Sequence, residues 1–438
     1  MFLRTLKSVF AAILLVFAAL PASAASDGAQ NGQMLRTWYR LVLELVRHTS
    51  NYSPPVASRA FAYLGVTAYE VTASGDPSLR SLAGQLNGLE KVPARQNGQT
   101  YDEGVALQAA MAFGVRNFFT HTGPTGQRAL AAMEKKLGAK AAEGVAPEVV
   151  ARSEAYGRQV GEAILAWSAN DGGANVDNMG FPPDYKLSDG PAHWTPTNLI
   201  RIQQTPLLPD WGSNRTFATA SGATCDLPPP PEYSEAEGSD FRKEAVEVYE
   251  AVNALTDEQR AIARFWSDDP MLSPTPPGHW ISIVMQILDH EKADAARSAD
   301  ILARLGITVA DAFIGCWHEK FRYDLVRPIT YIKRLIDPKW ETLLITPPFP
   351  EYPSGHSTQS GAAEVVLAAF FGENFAFEDA THAADGIAPR TYESFHQAAE
   401  EAGISRLYGG IHFRAAIERG LDQGRCIGAH TVKLVTRQ

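Results

Sequence analysis

The 438-residue chain has only three cysteines, Cys225, Cys316 and Cys426, at spacings that fit no metal site, which argues against structural zinc. Three thiols cannot all pair internally. Cys316 lies in an apolar helical run and is expected to be a small buried hydrophobe, while the disulfide state of the set is left open. Long apolar runs are also missing. Past the first two dozen residues nothing reaches the roughly 18 consecutive apolar residues that a membrane helix needs. Period-two alternation is scarce and there is no internal repeat, so neither a sheet-based nor a solenoid architecture is expected.

Excess positive charge is absent too. Arg4 and Lys7, with the apolar run Val9 to Leu20 and the small-residue pattern Ala22-Ser23-Ala24, predict a secretory signal peptide over residues 1–24. Export to the periplasm or the medium follows as an expectation. Without these two, 37 of the 39 basic residues face 49 acidic ones, a net charge of −12. Such a surface disfavours nucleic acid or an anionic membrane as partner, and an anionic ligand would need a local basic cluster.

What the chain does have is helical periodicity. Leu35, Trp38, Tyr39, Val42, Leu45 and Val46 recur at offsets of three, four and seven. Similar runs are expected over 56–71, 102–119, 125–137 and 147–169, giving an N-terminal helical region over 33–170. Residues 171–239 are rich in Pro, Gly, Asn and Ser, yet carry Trp194, Trp211 and Phe217, which argues for an ordered connecting loop. Helical patterning returns over 240–438. Thr256 to Gln259 reads as a capping box, two helices are expected near 292–305 and 308–324 with a break at Gly306, and the last helix runs from about His412 to Leu434. The fold class is therefore all-α, helical bundles joined by short turns and long loops.

Three segments put basic and hydrogen-bonding residues where apolar ones belong. Lys320 closes an apolar helix, and six residues later Arg327 precedes Pro328, which favours an extended backbone at Arg327. Pro353-Ser354-Gly355-His356 opens an apolar helix, so a hydroxyl, a Gly N–H and an imidazole meet a helix N-terminus, a setting suited to a tetrahedral oxyanion. Ser405-Arg406, five residues, then His412 forms the third piece. Each alone has a bland reading as surface charge or core histidine. The ordered set of three is much more specific.

This set resembles that of the vanadium-dependent haloperoxidases and the type 2 phosphatidic-acid phosphatases. The resemblance implies a catalytic four-helix bundle within 240–438. It implies that Lys320, Arg327, Arg406, Ser354 and Gly355 hold the oxygens of vanadate or phosphate. His412 would be the axial vanadium ligand or, in a phosphatase, the nucleophile, and His356 the acid–base catalyst. Vanadate would be the cofactor, with hydrogen peroxide, a halide and an organic acceptor as substrates. A phosphatase would instead take a phosphomonoester and no cofactor, and a degenerate member would only bind oxyanions. Chain length and solubility resemble the peroxidase side, and Phe349, seven residues before His356, resembles the residue beside the halide site in chloride- and iodide-type enzymes. Homo-oligomerisation is left open. One departure stands out: where the family commonly has Asp four residues after the last His, this chain has Ala416, so the group that orients His412 is not evident.

Overall fold

The structure, a computed structural model, describes residues 22–438 apart from 270. The expected leader over 1–24 lies outside the described residues except for its last three. Five helices come first: α1 (Ala22–Arg47), α2 (Pro54–Ala73), α3 (Glu103–Phe118), α4 (Pro124–Ala141) and α5 (Pro147–Ser168). Prolines at the first turns of α2, α4 and α5 fix the entry φ without sacrificing an intrahelical bond. Eight more follow: α6 (Asp240–Asn253), α7 (Asp257–Phe265), α8 (Thr275–His290), α9 (Ala295–Tyr323), α10 (Pro328–Leu335), α11 (Gly355–Phe371), α12 (Phe395–Tyr408) and α13 (Arg414–Val432). The expected capping box opens α7, with Thr256 and Gln259 satisfying each other's backbone N–H. Regular strand among the described residues is limited to the antiparallel pair β1 (Phe377–Asp379) and β2 (Arg390–Tyr392). No described helix is long and apolar enough to cross a membrane.

The break expected at Gly306 does not occur. Residues 295–323 form one 29-residue helix, buried on nearly every face, as befits the central helix of a bundle. Gly306 serves packing instead. A Cβ there would lie 2.9 Å from the Phe61 carbonyl oxygen, so the glycine lets α2 come against α9. The main apolar core is continuous across the chain, joining Trp38, Phe61 and Met111 to Val284, Leu305 and Leu367.

The loop over 171–239 is ordered because α9 anchors it. Asp311, fully buried, accepts the backbone N–H groups of Phe217, Ala218 and Thr219 at 2.6, 2.8 and 3.0 Å. Trp317 Nε1 donates to the Leu207 carbonyl, and the Trp194 N–H to that of Asp324. Cys225 and Cys426 form a disulfide that ties the end of the loop to α13, while Cys316 is free and buried as expected.

Candidate active site

All three sequence segments meet at the N-terminal end of α11. Ser354 is its N-cap, accepting the Ser357 N–H, and its own N–H donates to the carbonyl of Ala416 on α13. Gly355 and His356 form the first turn, where unpaired N–H groups and positive potential face the site. A Cβ on Gly355 would meet Phe313, Cys316 and Trp317 only at 3.7–4.0 Å, so the protein itself does not demand a glycine here.

Lys320, on the last turn of α9, is fully buried. Its ammonium donates to the carbonyls of Pro350, Glu351 and Pro353 at 2.9, 3.0 and 2.5 Å. All three of its hydrogens are thus engaged in holding the turn that presents Ser354. Burial pushes its pKa down to about 7. Arg327, extended at φ −79° and ψ 152° before Pro328, donates through Nε to the Phe349 carbonyl and through Nη1 to that of Ile411. Its Nη2 is buried with no acceptor among the described residues. Arg406 on α12 is also buried and donates to the Trp266 carbonyl and to Ser405 Oγ at its own base. It pairs with neither Glu400 nor Glu401.

His412 settles its own tautomer by its neighbours. Arg327 Nη1 can only donate and lies 3.2 Å from His412 Nε2, so Nε2 carries the lone pair. Nδ1 then holds the hydrogen and donates it to Glu351 Oε1 at 2.8 Å, an oxygen that also takes the Phe413 N–H. Burial, followed by the Arg327 charge, drives the His412 pKa well down and keeps the ring neutral. The orienting carboxylate missing at Ala416 is supplied by Glu351. Glu418 and Asp422 point elsewhere, toward Arg414 and Arg425.

His356 Nε2 approaches Asp268 Oδ2 at 3.3 Å, and burial with the nearby Arg406 lowers its pKa to about 4. Asp268 sits between α7 and α8 and is itself held by His279. His279 is fully buried, so it does not line the mouth of the site.

The site opens into a cleft of about 480 Å³ with an aromatic wall of Phe313, Trp317 and Phe349. The Trp317 and Phe349 rings are 4.9 Å apart, and Lys320 and Arg327 lie about 5 Å from the Phe349 ring. Phe349 thus packs against the two cations and shares the cleft lining with His356 and His412. Glu351 and Asp268 were not singled out by sequence. Glu351 does have one local mark, a charged residue directly before the Tyr-Pro-Ser-Gly-His turn. Asp268 has none, because only folding brings it to His356.

Comparison with known proteins agrees with the three-part pattern. The family described as the VCPO second helical-bundle domain matches residues 300–438. Vanadium chloroperoxidase of Curvularia inaequalis is 27% identical over 262 residues, which is 49% of this chain and 42% of that relative's length. A solved structure described as the first bacterial vanadium-dependent iodoperoxidase superposes with a TM-score of 0.85 at 38% identity, covering 93% of this chain and 97% of the other. The holo form of a bacterial vanadium-dependent chloroperoxidase shares the fold, with a TM-score of 0.67 at 16% identity over 88% and 92% of the two chains.

Proposed function

The chain belongs to the vanadium-dependent haloperoxidases, and from that premise we propose that it uses hydrogen peroxide to oxidise a halide, with iodide the preferred one. The observation that carries the reading is the His412–Arg327 pair. A neutral imidazole presents the Nε2 lone pair beside a buried guanidinium whose Nη2 has no acceptor among the described residues. An oxyanion would supply the missing acceptor, and His412 Nε2 would offer its lone pair to a metal held there. The chain's donors therefore fit vanadate: Arg327, Arg406, Ser354 and Gly355 would hold its oxygens, Lys320 would add charge while fixing the turn, and His412 would ligate the vanadium.

Bound vanadate supplies a pentavalent Lewis acid that makes peroxide electrophilic toward halide without a change of oxidation state. The protein's own part is positional and protonic. His356, neutral at working pH, takes a proton from the incoming peroxide and returns one to the departing oxygen. Phe313, Trp317 and Phe349 keep the approach dry and polarisable, which suits a large soft halide. Trp317 Nε1 is already committed to Leu207, so it offers no donor there. Iodide is supported by the 38% identical iodoperoxidase. Export is part of the proposal, and the Cys225–Cys426 disulfide supports an oxidising compartment.

The test is a paired assay on chain stripped of oxyanions and then given vanadate, with His412→Ala as control. Vanadate should switch on iodide oxidation by peroxide. Fast metal-free hydrolysis of a phosphomonoester that vanadate merely inhibits, with no halide oxidised, would replace this reading with a phosphohistidine mechanism.

A further inference from the structure

Behind His356 runs a buried chain of three side chains, Asp268, His279 and Asp379, that the oxyanion cradle does not use. His356 Nε2 faces Asp268 Oδ2 at 3.3 Å. The other Asp268 oxygen, Oδ1, lies 2.9 Å from His279 Nδ1. His279 Nε2 in turn lies 2.8 Å from Asp379 Oδ2 on β1. Asp268 and His279 are fully enclosed, with Trp266 stacked on the His279 ring at 4.4 Å. Asp379 is anchored by the Thr381 N–H at 2.9 Å.

The hydrogens in this chain can be assigned from the partners alone. An imidazole placed between two carboxylates donates at both nitrogens, so His279 is an imidazolium. Consistently, the flanking carboxylates outweigh burial and raise its pKa to about 10. Asp268 then spends Oδ1 on His279 and has Oδ2 left as an acceptor for His356 Nε2–H. His382 Nε2, at 3.7 Å from Oδ1, is too distant to compete. Asp268 adopts a left-handed backbone, φ 50°, which is uncommon for a residue other than glycine and costs about 1 kcal/mol or more. The fold holds this carboxylate in place against that cost.

We propose that Asp268, locked by the His279–Asp379 pair, is a positioning residue that fixes His356 as its Nε2–H tautomer and so reserves the Nδ1 lone pair for proton transfer at the cradle. The catalytic consequence rests on the peroxidase reading, but the tautomer does not. The relay has the same logic as a hydrolase triad, in which a buried carboxylate sets which ring nitrogen is the base.

Asp268→Asn gives an opposed prediction. Asp379 still faces His279, and a ring kept doubly protonated by it can only donate, so the new side chain must offer it the amide oxygen. The NH₂ then faces His356 Nε2, which has to become an acceptor, and the proton moves to Nδ1. The experiment is long-range 15N–1H NMR on the full chain with 15N-labelled histidine, free of oxyanion, with His356→Gln to assign the signals. Wild type should show His356 as Nε2–H and Asp268→Asn should show Nδ1–H. In the vanadate-loaded protein, kcat for iodide oxidation should fall roughly 10- to 100-fold with KM for peroxide changed less than about two-fold. An Nδ1–H or mixed tautomer in wild type overturns the proposal, and needs no variant to fold. An unchanged tautomer in Asp268→Asn, with His279 still doubly protonated in the same spectrum, overturns it as well. The expected tautomers in a chain that oxidises no halide would sustain the positioning role and sink the peroxidase reading instead.

Discussion

Glu351 Oε1 lies 2.8 Å from His412 Nδ1 and equally close to the Phe413 N–H, so one carboxylate oxygen fixes both the ring and the backbone that carries it. Burial pushes the Glu351 pKa up to about 8, against the opposing charges of Arg327 and Lys320. Glu351→Ala leaves a buried imidazole N–H without an acceptor and frees the ring to turn. Vanadate affinity should fall roughly 10- to 100-fold, as when other outer partners of metal-binding histidines are removed. Glu351→Gln keeps an acceptor oxygen and should lose less. Calorimetric titration with vanadate reads both. Equal affinity in wild type and Glu351→Ala would show that His412 needs no orienting group.

Lys320 commits its ammonium to three backbone carbonyls of the turn. Its replacement should therefore destabilise the anion-free chain. Lys320→Met matches the side chain's length but strands three buried carbonyl oxygens, a loss on the order of 3 kcal/mol or more. The urea midpoint of oxyanion-free protein should drop accordingly. If stability is unchanged and only vanadate binding suffers, Lys320 is a pure anion ligand and not the knot of the 350–353 turn.

The cradle was legible in the sequence because each piece carries its own local chemistry. Pro328 sets Arg327, Ser354 caps α11, and His412 precedes α13. Helix content was legible for a similar reason, since periodicity is local. What escaped reading depends on three-dimensional approach. Gly306 read as a break but serves a helix crossing with α2, because tertiary packing outweighs the small cost of a mid-helix glycine. The substitute for the expected carboxylate at position 416 sits 61 residues before His412, in the turn that precedes α11. Asp311 and Asp268 lie in apolar or turn contexts, where an acid has no local explanation until its backbone or imidazole partners fold onto it.

His279 makes a pH dependence with a definite sign. Its folded pKa is raised from 6.5 to about 10, so its contribution to stability is complete below about pH 6.5 and is lost as pH rises through 10. Asp268 and Asp379 work the other way. Burial opposes their ionisation, but His279 more than reverses it and lowers both below 3.8, so their contribution is present above that value and fades as pH falls. The stability added by this cluster, read as the difference in thermal midpoint between wild type and His279→Gln, should be constant between roughly pH 4 and 6.5 and decline on the alkaline side. His279→Gln leaves two buried carboxylates without their countercharge and should cost about 3–5 kcal/mol. In that variant the alkaline decline between 6.5 and 10 should flatten. A decline of undiminished slope would assign it to other groups.

The placement of the whole cradle rests on how closely α11 and α13 pack, an approach that Gly424 permits together with Gly361, Gly420 and Gly428. A Cβ at Gly424 would stand 2.0 Å from the Thr358 carbonyl oxygen and 2.7 Å from the Ala362 nitrogen, both backbone atoms of α11 that no rotamer change can move. Gly424→Ala must push the two helices apart by about an ångström, which should cost roughly 1–3 kcal/mol as an overpacked core. The same displacement carries Ser354, Gly355 and His356 away from His412, because the first three ride on α11 and the last enters α13. Thermal midpoint and vanadate affinity should therefore fall together. Gly138→Ala is the control, since on α4 the added methyl comes no nearer than 3.9 Å to Gln108. Removing a mid-helix glycine there should be neutral or stabilising by about 0.5–1 kcal/mol, with vanadate affinity unchanged. If Gly424→Ala lost stability but bound vanadate as tightly as wild type, the cradle would be held by the 350–353 turn and Lys320 alone, and the crossing of α11 with α13 would matter only for folding.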